Sequence, residues 1–364
     1  MMIDLDSKYF KENIITYLGN KRRLLGFIND GIQKITNHTK QKQFSILDGF
    51  AGSGVVSRLF KHYATDLYVN DLEDYCKTVN SCYLSNVSSV PQSINDSIDY
   101  LNNNKLNDME QGIISQLYAP NDDHNILKDE RVFYTSDNAK IIDNIRRMID
   151  TDIPESHKIY CLAPLLVAAS VHNNTSGVFK GFHKKDGIGH FGGQGENALQ
   201  RIKGEIKLDY PIFSDAECPV HIYQDDTNKL VNKLPEVDIA YYDPPYNQHP
   251  YGSNYFMLNV INEYIVPKEI SPVSGIPKNW NKSDYNKRGD AIQAMDDLIK
   301  DTNAKFIMVS YNNEGIIPVE EFRSILKKYG RVKKMEREYN AYRGSRNLKD
   351  RNTHVNEILW LLQK

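Results

Sequence analysis

The pattern of apolar positions predicts strands and helices that alternate at both ends of the chain. Short apolar runs between turn residues predict buried strands, and apolar residues spaced about 3.6 positions apart predict helices. The predicted strands are Phe44 to Asp48, Asp66 to Asn70, Val220 to Tyr223, Val237 to Tyr242, Phe306 to Ser310, Arg331 to Tyr339 and Val355 to Leu362. Predicted helices include Leu24 to Ile35, Asn228 to Leu234 and Ala291 to Lys300. This alternation favours an α/β fold with a largely parallel sheet.

A polar segment interrupts the alternation. From Leu84 to about Asp152 the chain is rich in Asn and Asp and lacks strand patterns. Residues Lys158 to Val171 then predict a mostly buried helix with Pro164 near its first turn. We therefore divide the chain into a first part of one domain (residues 1–84), a helical insertion (85–214) and the second part of the same domain (215–364).

Two loops have the composition of an interaction surface. The first runs from His172 to Gly195 and combines amides, hydroxyls, aromatic rings and bases, and functional residues are often found on loops. A flexible linker is the alternative, which its phenylalanines (Phe179, Phe182 and Phe191) disfavour. The second loop, from Ser271 to Asp290, contains Trp280.

Composition limits the class of protein. In 364 residues, the 40% hydrophobic and 25% charged fractions are ordinary for a globular protein. No apolar run approaches the roughly 18 residues that span a bilayer, and the first residues lack the features of a signal peptide. We expect a cytoplasmic protein with no membrane partner. The four cysteines lack Cys-x-x-Cys spacing, so we expect buried thiols rather than disulfides or a metal site.

Charge is distributed unevenly along the chain. The formal net charge is −2, which argues against a polyanionic partner. However, Arg323 to Arg351 is rich in Lys and Arg, whereas Asp96 to Glu155 is rich in carboxylates. Such asymmetry is typical of a one-sided nucleic-acid interface, although a solvated charged face is the commoner cause of a single basic run.

A glycine-rich turn, Gly49-Phe-Ala-Gly-Ser-Gly54, follows the first predicted strand and precedes a helical pattern. Glycines let a ligand approach backbone amides at a helix N-terminus. The third glycine of a dinucleotide fingerprint is missing, so NAD or FAD is poorly supported. Asp71 ends the next strand, about 20 positions later, where an acid binds ribose hydroxyls. Capping of the following helix is the alternative role for Asp71.

The segment Asp243-Pro-Pro-Tyr246 follows another buried strand, at the sheet edge where α/β proteins bind ligands. An ionised Asp243 and the carbonyl of Pro244 are hydrogen-bond acceptors that suit an amino group, and the Tyr246 ring could stack on a heterocycle. A simple Pro-Pro turn at the end of a strand is the alternative. Asp225 and Asp226 follow a third strand, where a carboxylate could reach a cofactor's adenine amine; we favour Asp226, although the doublet leaves the choice open.

In this order, Tyr17-x-Gly-x-Lys21, Phe50-x-Gly-x-Gly54 and Asp243-Pro-Pro-Tyr246 resemble the motifs of the D12-class, or alpha-group, DNA adenine methyltransferases. Ser310-Tyr-Asn-Asn-Glu-Gly315 and Tyr342-Arg-Gly-Ser-Arg346 also look like restriction-modification members of that family. The resemblance covers nearly the whole chain. It implies a Rossmann-like S-adenosylmethionine-dependent methyltransferase fold, with a mostly parallel sheet, an antiparallel C-terminal strand and an inserted target-recognition region.

The same resemblance implies a function and a set of site residues. The methyl donor would be S-adenosylmethionine and the acceptor the N6 amine of a flipped adenine in double-stranded DNA, in a type II system whose restriction endonuclease acts separately. The implied cofactor-binding residues are Tyr17, Lys21, Asp48, Phe50, Gly52, Gly54, Asp71 and Asp226. The implied catalytic residues are Asp243, Pro244, Pro245 and Tyr246. The predicted DNA-binding residues are Asn173, Lys180, Lys184, Trp280, Arg343 and Arg346.

Several alternatives remain at this point. The methyl acceptor could be RNA or a protein amide, although amide-methylating relatives favour Asn where this chain has Asp243. A non-catalytic nucleic-acid-binding protein could keep the same fold, and a nucleotide-dependent oxidoreductase is a more distant possibility.

Overall fold

The structure is a computed structural model that describes residues 3–15, 19–192, 198–340 and 354–364. The strands are β1 Phe44–Asp48, β2 Ala64–Asp71, β3 Lys184–Lys185, β4 Ile188–Gly189, β5 Val220–Gln224, β6 Val237–Tyr242, β7 Ala304–Asn312, β8 Arg331–Asn340 and β9 His354–Gln363. The helices are α1 Lys8–Lys11, α2 Leu25–Thr39, α3 Val55–Lys61, α4 Asp74–Tyr83, α5 Ile94–Asn104, α6 Ile113–Tyr118, α7 Ser136–Thr151, α8 Glu155–Val171, α9 Leu199–Ile202, α10 Thr227–Leu230, α11 Tyr251–Asn254, α12 Phe256–Glu263, α13 Ala291–Asp301 and α14 Val319–Lys327.

Seven strands form one sheet in the order β5-β2-β1-β6-β7-β9-β8. The pairs from β5 to β7 are parallel, whereas β9 is antiparallel to both β7 and β8. This confirms the predicted mostly parallel sheet with an antiparallel C-terminal strand. β3 and β4 form a separate two-stranded hairpin within the first loop.

Both faces of the sheet are covered, as the uninterrupted apolar runs of its central strands require. In β6, Ile239 and Tyr241 belong to one hydrophobic cluster, which includes residues of α2 and α3. Ala240 and Tyr242 belong to the opposite cluster, with residues of α13 and α14. Because neighbouring side chains in a strand point to opposite faces, β6 is buried on both sides and its position at the centre of the sheet is well defined.

The insertion is helical, as predicted, but its core is continuous with the rest of the molecule. One cluster joins Tyr118 of α6 and Leu165 of α8 to Tyr75 of α4 and Phe256 of α12. Phe179, from the first loop, is buried in the same cluster. A packed loop of this kind is not a linker, so the structure removes that alternative for the described part of the loop.

Two predicted helices differ from those observed. The helix α8 begins at Glu155, so Pro164 lies inside it rather than near its first turn. The pattern missed the three polar residues that open the helix. The helix predicted from Asn228 to Leu234 is only the single turn α10, because the amide of Lys233 bonds the carbonyl of Leu230 and the chain turns before Pro235.

The four cysteines are buried, in agreement with their prediction as core residues. Over the ranges that the structure describes, none of the helices combines the length and apolar character needed to cross a bilayer.

Candidate functional site

A cavity opens at the edge of the sheet where β1, β2, β5 and β6 end. The register explains why their ends meet: Asp48, the last residue of β1, lies opposite Val69 of β2 and Tyr241 of β6. The predicted site residues that line the cavity are Lys21, Phe50, Gly52, Asp71, Asp226, Asp243 and Pro245. Residues from five separate segments of the chain therefore share one site, while Tyr17 lies outside the described residues.

The glycine-rich turn forms one wall. Gly52 and Gly54 have φ values of 52° and 76°, the left-handed region that favours glycine. A Cβ atom on Gly54 would lie 2.1 Å from Oδ1 of Asn80, and the side-chain amide of Asn80 donates to the carbonyl of Gly52 at 3.1 Å. Gly54 is therefore packed beneath the turn, not in the cavity lining, and its effect on a ligand is through the shape of the turn.

Asp71 holds this turn from the end of β2. Its carboxylate accepts hydrogen bonds from the amides of Gly52, at 2.8 Å, and Glu73, at 3.0 Å. Burial raises the pKa of Asp71, while these amides oppose the rise. Because α4 begins only at Asp74, Asp71 does not have the helix-capping role considered as an alternative. It lines the cavity, and its contact with ribose hydroxyls stays a prediction.

Glu73 is a cavity residue that the sequence reasoning missed. It is buried, lines the cavity and accepts hydrogen bonds from the side-chain amides of Asn259, at 2.6 Å, and Asn281, at 3.3 Å. Burial, reinforced by the charge of Asp71, raises the pKa of Glu73 to about 8. The sequence signal for Glu73 is the acidic segment Asp71-Leu-Glu-Asp74 at the end of β2, from which only Asp71 was predicted to be a site residue. Its contact with Asn281 attaches the second loop to this wall.

Asp48 lies behind the wall rather than in it. Its side chain is fully buried and accepts a hydrogen bond from the Ser57 hydroxyl at 2.6 Å. Burial raises the pKa of Asp48 to about 7, against the effect of the Ser57 hydroxyl. The predicted direct contact with a cofactor does not fit this position, because β1 is a central strand and its last side chain points under the turn that follows.

The structure separates the two carboxylates after β5. Asp225 forms an ion pair with Lys233 at 2.7 Å, and this hydrogen bond lowers the pKa of Asp225. Asp226 caps α10 through the amide of Lys229 and also lines the cavity. The geometry therefore favours Asp226, the residue chosen from the sequence, as the one that faces a ligand.

Asp243 extends from the end of β6 into the cavity, where it meets Lys21. The Lys21 ammonium lies 2.9 Å from Oδ1 of Asp243 and 2.9 Å from Oε1 of Glu357. Burial raises the pKa of Asp243 to about 6, with Lys21 lowering it and Glu357 raising it. Burial disfavours the charge on Lys21, but the two carboxylates outweigh burial and raise the pKa of Lys21 well above its usual value. Asp243 is therefore ionised and Lys21 charged at neutral pH.

Two tyrosines stand beside this ion pair. The Lys21 ammonium is 5.8 Å from the ring centroid of Tyr246. A Cβ atom on Gly19 would lie 3.2 Å from the hydroxyl of Tyr251 and 3.3 Å from that of Tyr246, so both hydroxyls converge on this glycine. Pro244 is buried, and Pro245 lines the cavity. The structure thus places an acceptor carboxylate and an aromatic ring on either side of Lys21, although Tyr246 itself is not among the residues that line the cavity.

The predicted DNA-binding residues have different environments. Lys180 and Lys184 are exposed, and the Lys180 ammonium lies 3.4 Å from Nδ1 of His249, which follows the Asp-Pro-Pro-Tyr segment. Trp280 lines a second cavity of about 700 Å³. Gly252 and Asn281 line both cavities and separate them. Arg343 and Arg346 lie outside the described residues.

Asn173 requires a correction, because it is only 4% exposed. Its amide donates to the carbonyl of Ser170 at 2.7 Å, and its side-chain oxygen accepts from the hydroxyl of Thr175 at 2.6 Å. With its polar groups bonded inside the loop, Asn173 shapes the first loop and does not present its side chain to a base. An asparagine side chain can bond a DNA base or the backbone of its own loop. The sequence alone does not distinguish these two roles.

A mostly parallel sheet, a glycine turn at the end of β1 and an Asp-Pro-Pro-Tyr segment at the end of β6 define a Rossmann-like methyltransferase. Residues 17–325 match the family model described as D12 class N6 adenine-specific DNA methyltransferase. The chain belongs to this family, which confirms the resemblance and the predicted enzyme class.

Named relatives support the same assignment. The chain is 29% identical to the type II methyltransferase M.NlaIII of Neisseria lactamica, over 96% of this chain and 99% of that protein. It is 32% identical to the modification methylase StsI of Streptococcus sanguinis, over 96% of this chain but only 52% of that protein. It is 28% identical to the type II methyltransferase M.CviAII of Paramecium bursaria Chlorella virus 1, over 91% and 93% of the two chains. DNA is therefore the substrate class, and the oxidoreductase alternative is wrong.

Proposed function

We propose that this enzyme transfers a methyl group from S-adenosylmethionine to the N6 amine of an adenine flipped out of double-stranded DNA. The observation that carries the proposal is the presence of Asp243 in the same cavity as the glycine turn and Asp71. An acceptor for the target amine and a cradle for a nucleoside-containing cofactor are thus adjacent.

The cavity fits the proposed cofactor. Carboxylates at the ends of two strands, Asp71 and Asp226, suit ribose hydroxyls and an adenine amine respectively. The left-handed backbone at Gly52 allows close approach of a ligand to the turn, and Phe50 offers a ring beside it. Lys21, together with Tyr17, would hold the methionine carboxylate. When bound, the cofactor would supply an electrophilic methyl group attached to a sulfonium.

Asp243 would activate the target amine. The adenine amine is a poor nucleophile because its lone pair is conjugated with the ring. An ionised carboxylate at Asp243 and the carbonyl of Pro244 would accept hydrogen bonds from its two N–H groups, which increases electron density on nitrogen and fixes the direction of attack. The pKa of about 6 keeps Asp243 ionised at neutral pH. No covalent enzyme intermediate is required.

Base flipping and DNA positioning complete the proposal. A stacked adenine cannot reach a carboxylate inside this cavity, so the base must leave the duplex at a cost of a few kcal/mol. Stacking on Tyr246 would offset part of this cost. Lys180 and Lys184 would contact phosphates, as would Arg343 and Arg346, and Trp280 would contribute to base readout.

We also propose that the enzyme is the modification component of a type II restriction-modification system, with a separate endonuclease as its genetic partner. The support is that M.NlaIII and M.CviAII are named type II methyltransferases and that StsI is named a modification methylase.

The test is transfer of tritiated methyl from S-adenosylmethionine to unmethylated genomic DNA, followed by nucleoside analysis and mapping of the modified positions. We expect N6-methyladenine at one short sequence motif. An RNA duplex of the same sequence is the parallel substrate. Transfer to RNA but not to DNA, or no transfer despite measurable cofactor binding, would refute the proposed substrate or reaction.

Asp243→Ala is the matching variant. We expect methyl transfer to fall by about a hundredfold or more, because the amine loses its charged acceptor, while cofactor binding stays measurable by calorimetry. Asp243→Asn keeps the size of the side chain and is expected to be similarly impaired. Turnover like that of the wild type in either variant would refute the role of Asp243 as the acceptor for the target amine.

A further inference from the structure

Glu357 is a buried acid that the proposed mechanism does not yet use. It lies on β9, is 1% exposed and does not line the cavity. Its Oε1 atom is 2.9 Å from the ammonium of Lys21 and accepts a hydrogen bond from the Ser310 hydroxyl at 2.5 Å. Its Oε2 atom has no hydrogen-bond partner among the described residues. A buried carboxylate with one unpartnered oxygen is costly, which points to a role other than stability.

The sheet topology explains how Glu357 reaches the site. β9 runs antiparallel beside β7, and Glu357 lies opposite Asn312, the last residue of β7. The early part of β9 therefore adjoins the edge at which the parallel strands end. Lys21, which opens a 3₁₀ turn before α2, reaches between Glu357 and Asp243 from another part of the chain.

We propose that Glu357 is a positioning residue for methyl transfer, which balances the charge of Lys21 so that Asp243 remains a strong acceptor for the target amine. This inference rests on the proposed function of Asp243. With Lys21 and Asp243 alone, the two charges would cancel. With Glu357 present, the three groups together carry a net negative charge, and Asp243 is the member of the group that faces the cavity beside Lys21.

The other groups around Asp243 do not replace this charge. Asp48 acts from behind the turn, and burial raises its pKa to about 7. Tyr241, Tyr246 and Tyr251 face the same region, and burial raises the pKa of each hydroxyl, so all three stay neutral. Asp48 is thus only partly ionised at neutral pH, and among the described residues Lys21 and Glu357 are the charged groups that shift the pKa of Asp243.

The test is the single-turnover rate of DNA methylation as a function of pH, with saturating S-adenosylmethionine and DNA. Glu357→Gln keeps the side-chain size and can still accept from Ser310. We expect its plateau rate to fall by about tenfold or more, with dissociation constants for cofactor and DNA within about twofold of the wild type. Because Glu357 raises and Lys21 lowers the pKa of Asp243, the acid limb of the profile should move to lower pH in Glu357→Gln.

Two further variants make the test specific. Glu357→Asp retains the charge but holds it farther from Lys21, so its plateau and acid limb should both lie between those of the wild type and Glu357→Gln. Glu336→Gln removes an exposed acid from β8, at the position opposite Ile358, and should match the wild type.

The possible outcomes separate the claims. A wild-type plateau and acid limb in Glu357→Gln would overturn the inference, as would equal losses in the Gln and Asp variants with an unmoved acid limb. If Glu357→Gln does not fold, the acid limb of the Glu357→Asp profile tests the inference instead. The shorter side chain weakens the effect of the charge on Asp243, so this limb should move to lower pH by a smaller amount. An unmoved limb would overturn the inference. Failure of the wild type to methylate adenine in DNA would instead refute the proposed function.

Discussion

Glu73 couples ionisation to folding. Its carboxyl is buried in the cavity wall and has a pKa of about 8, above the ordinary value of 4.5 that applies to the unfolded chain. Because the folded pKa is raised, the contribution of this group to stability is fully present below about pH 4.5 and is lost as the pH rises through about 8. The folded protein keeps Glu73 protonated at neutral pH, when the unfolded chain would release the proton.

Glu73→Gln should therefore change the pH dependence of stability. The amide cannot ionise, so we expect the variant to gain stability relative to the wild type as the pH rises from about 6 to about 9. Chemical denaturation at both pH values measures the difference. Glu236→Gln, which removes an exposed acid, is the control. A difference between Glu73→Gln and the wild type that is the same at both pH values would contradict this prediction.

Asn173 and Asp48 show what side-chain chemistry alone leaves undetermined. Both are polar residues that were predicted to contact a ligand, yet both are buried and bonded within the protein. Sequence spacing places a residue at a strand end or in a loop. It does not say whether the side chain points into the cavity or beneath it, since that depends on the path of the following turn.

At the scale of elements, the glycine turn depends on Gly54 through close packing. Gly54→Ala would force a residue with a Cβ into a positive φ and place that atom against Asn80, which supports Gly52. We expect a loss of about 2 to 4 kcal/mol in the free energy of unfolding, together with weaker cofactor binding.

Gly187→Ala is the matched control for this prediction. Gly187 has a φ of 83°, close to that of Gly54, but a Cβ atom there would meet nothing within 4 Å. Backbone strain alone should cost about 1 kcal/mol. Denaturant titration of the two variants separates strain from contact, and equal losses would show that Asn80 has no part in the effect.

The positions of the strands along the chain were largely predictable from the sequence, whereas the order in which the strands pair was not. Each predicted strand of the main sheet lies within or close to an observed one, because apolar runs and turn residues are local signals. In the sheet, β9 lies between β7 and β8. Strand pairing of this kind depends on contacts between distant parts of the chain, so a local sequence pattern does not predict it. For the same reason Glu357 looked like one more polar residue in a strand, and its pairing with Lys21 emerged only from the fold.

At the scale of the whole molecule, the exposed lysines of the first loop lie outside the cavity that contains Asp243. The cavity is lined by carboxylates and one lysine, whereas exposed lysines lie on the first loop, beside the segment that follows Asp243. We therefore expect a polyanion to contact the first loop rather than the cavity that contains Asp243.

Replacing Lys180 and Lys184 by Ala should weaken DNA binding in a sequence-independent way. We expect the slope of log affinity against log salt concentration to become shallower by about 2, one for each lost phosphate contact. Binding isotherms on cognate and unrelated duplexes at several salt concentrations measure this. Lys128→Ala, an exposed lysine in the insertion, should leave the slope unchanged. Loss of cognate binding alone would point to base readout instead.

The position of β9 in the sheet determines when the sheet can be completed during translation. The sheet cannot close until residues 354–363 have emerged from the ribosome, because β7 lacks a neighbour on that side and β8 has no strand to join. The same ten residues deliver Glu357 to Lys21. A nascent chain that already displays both the glycine turn and Asp-Pro-Pro-Tyr would thus still lack the second carboxylate beside Lys21, and full activity would require the strand that follows these motifs in the chain.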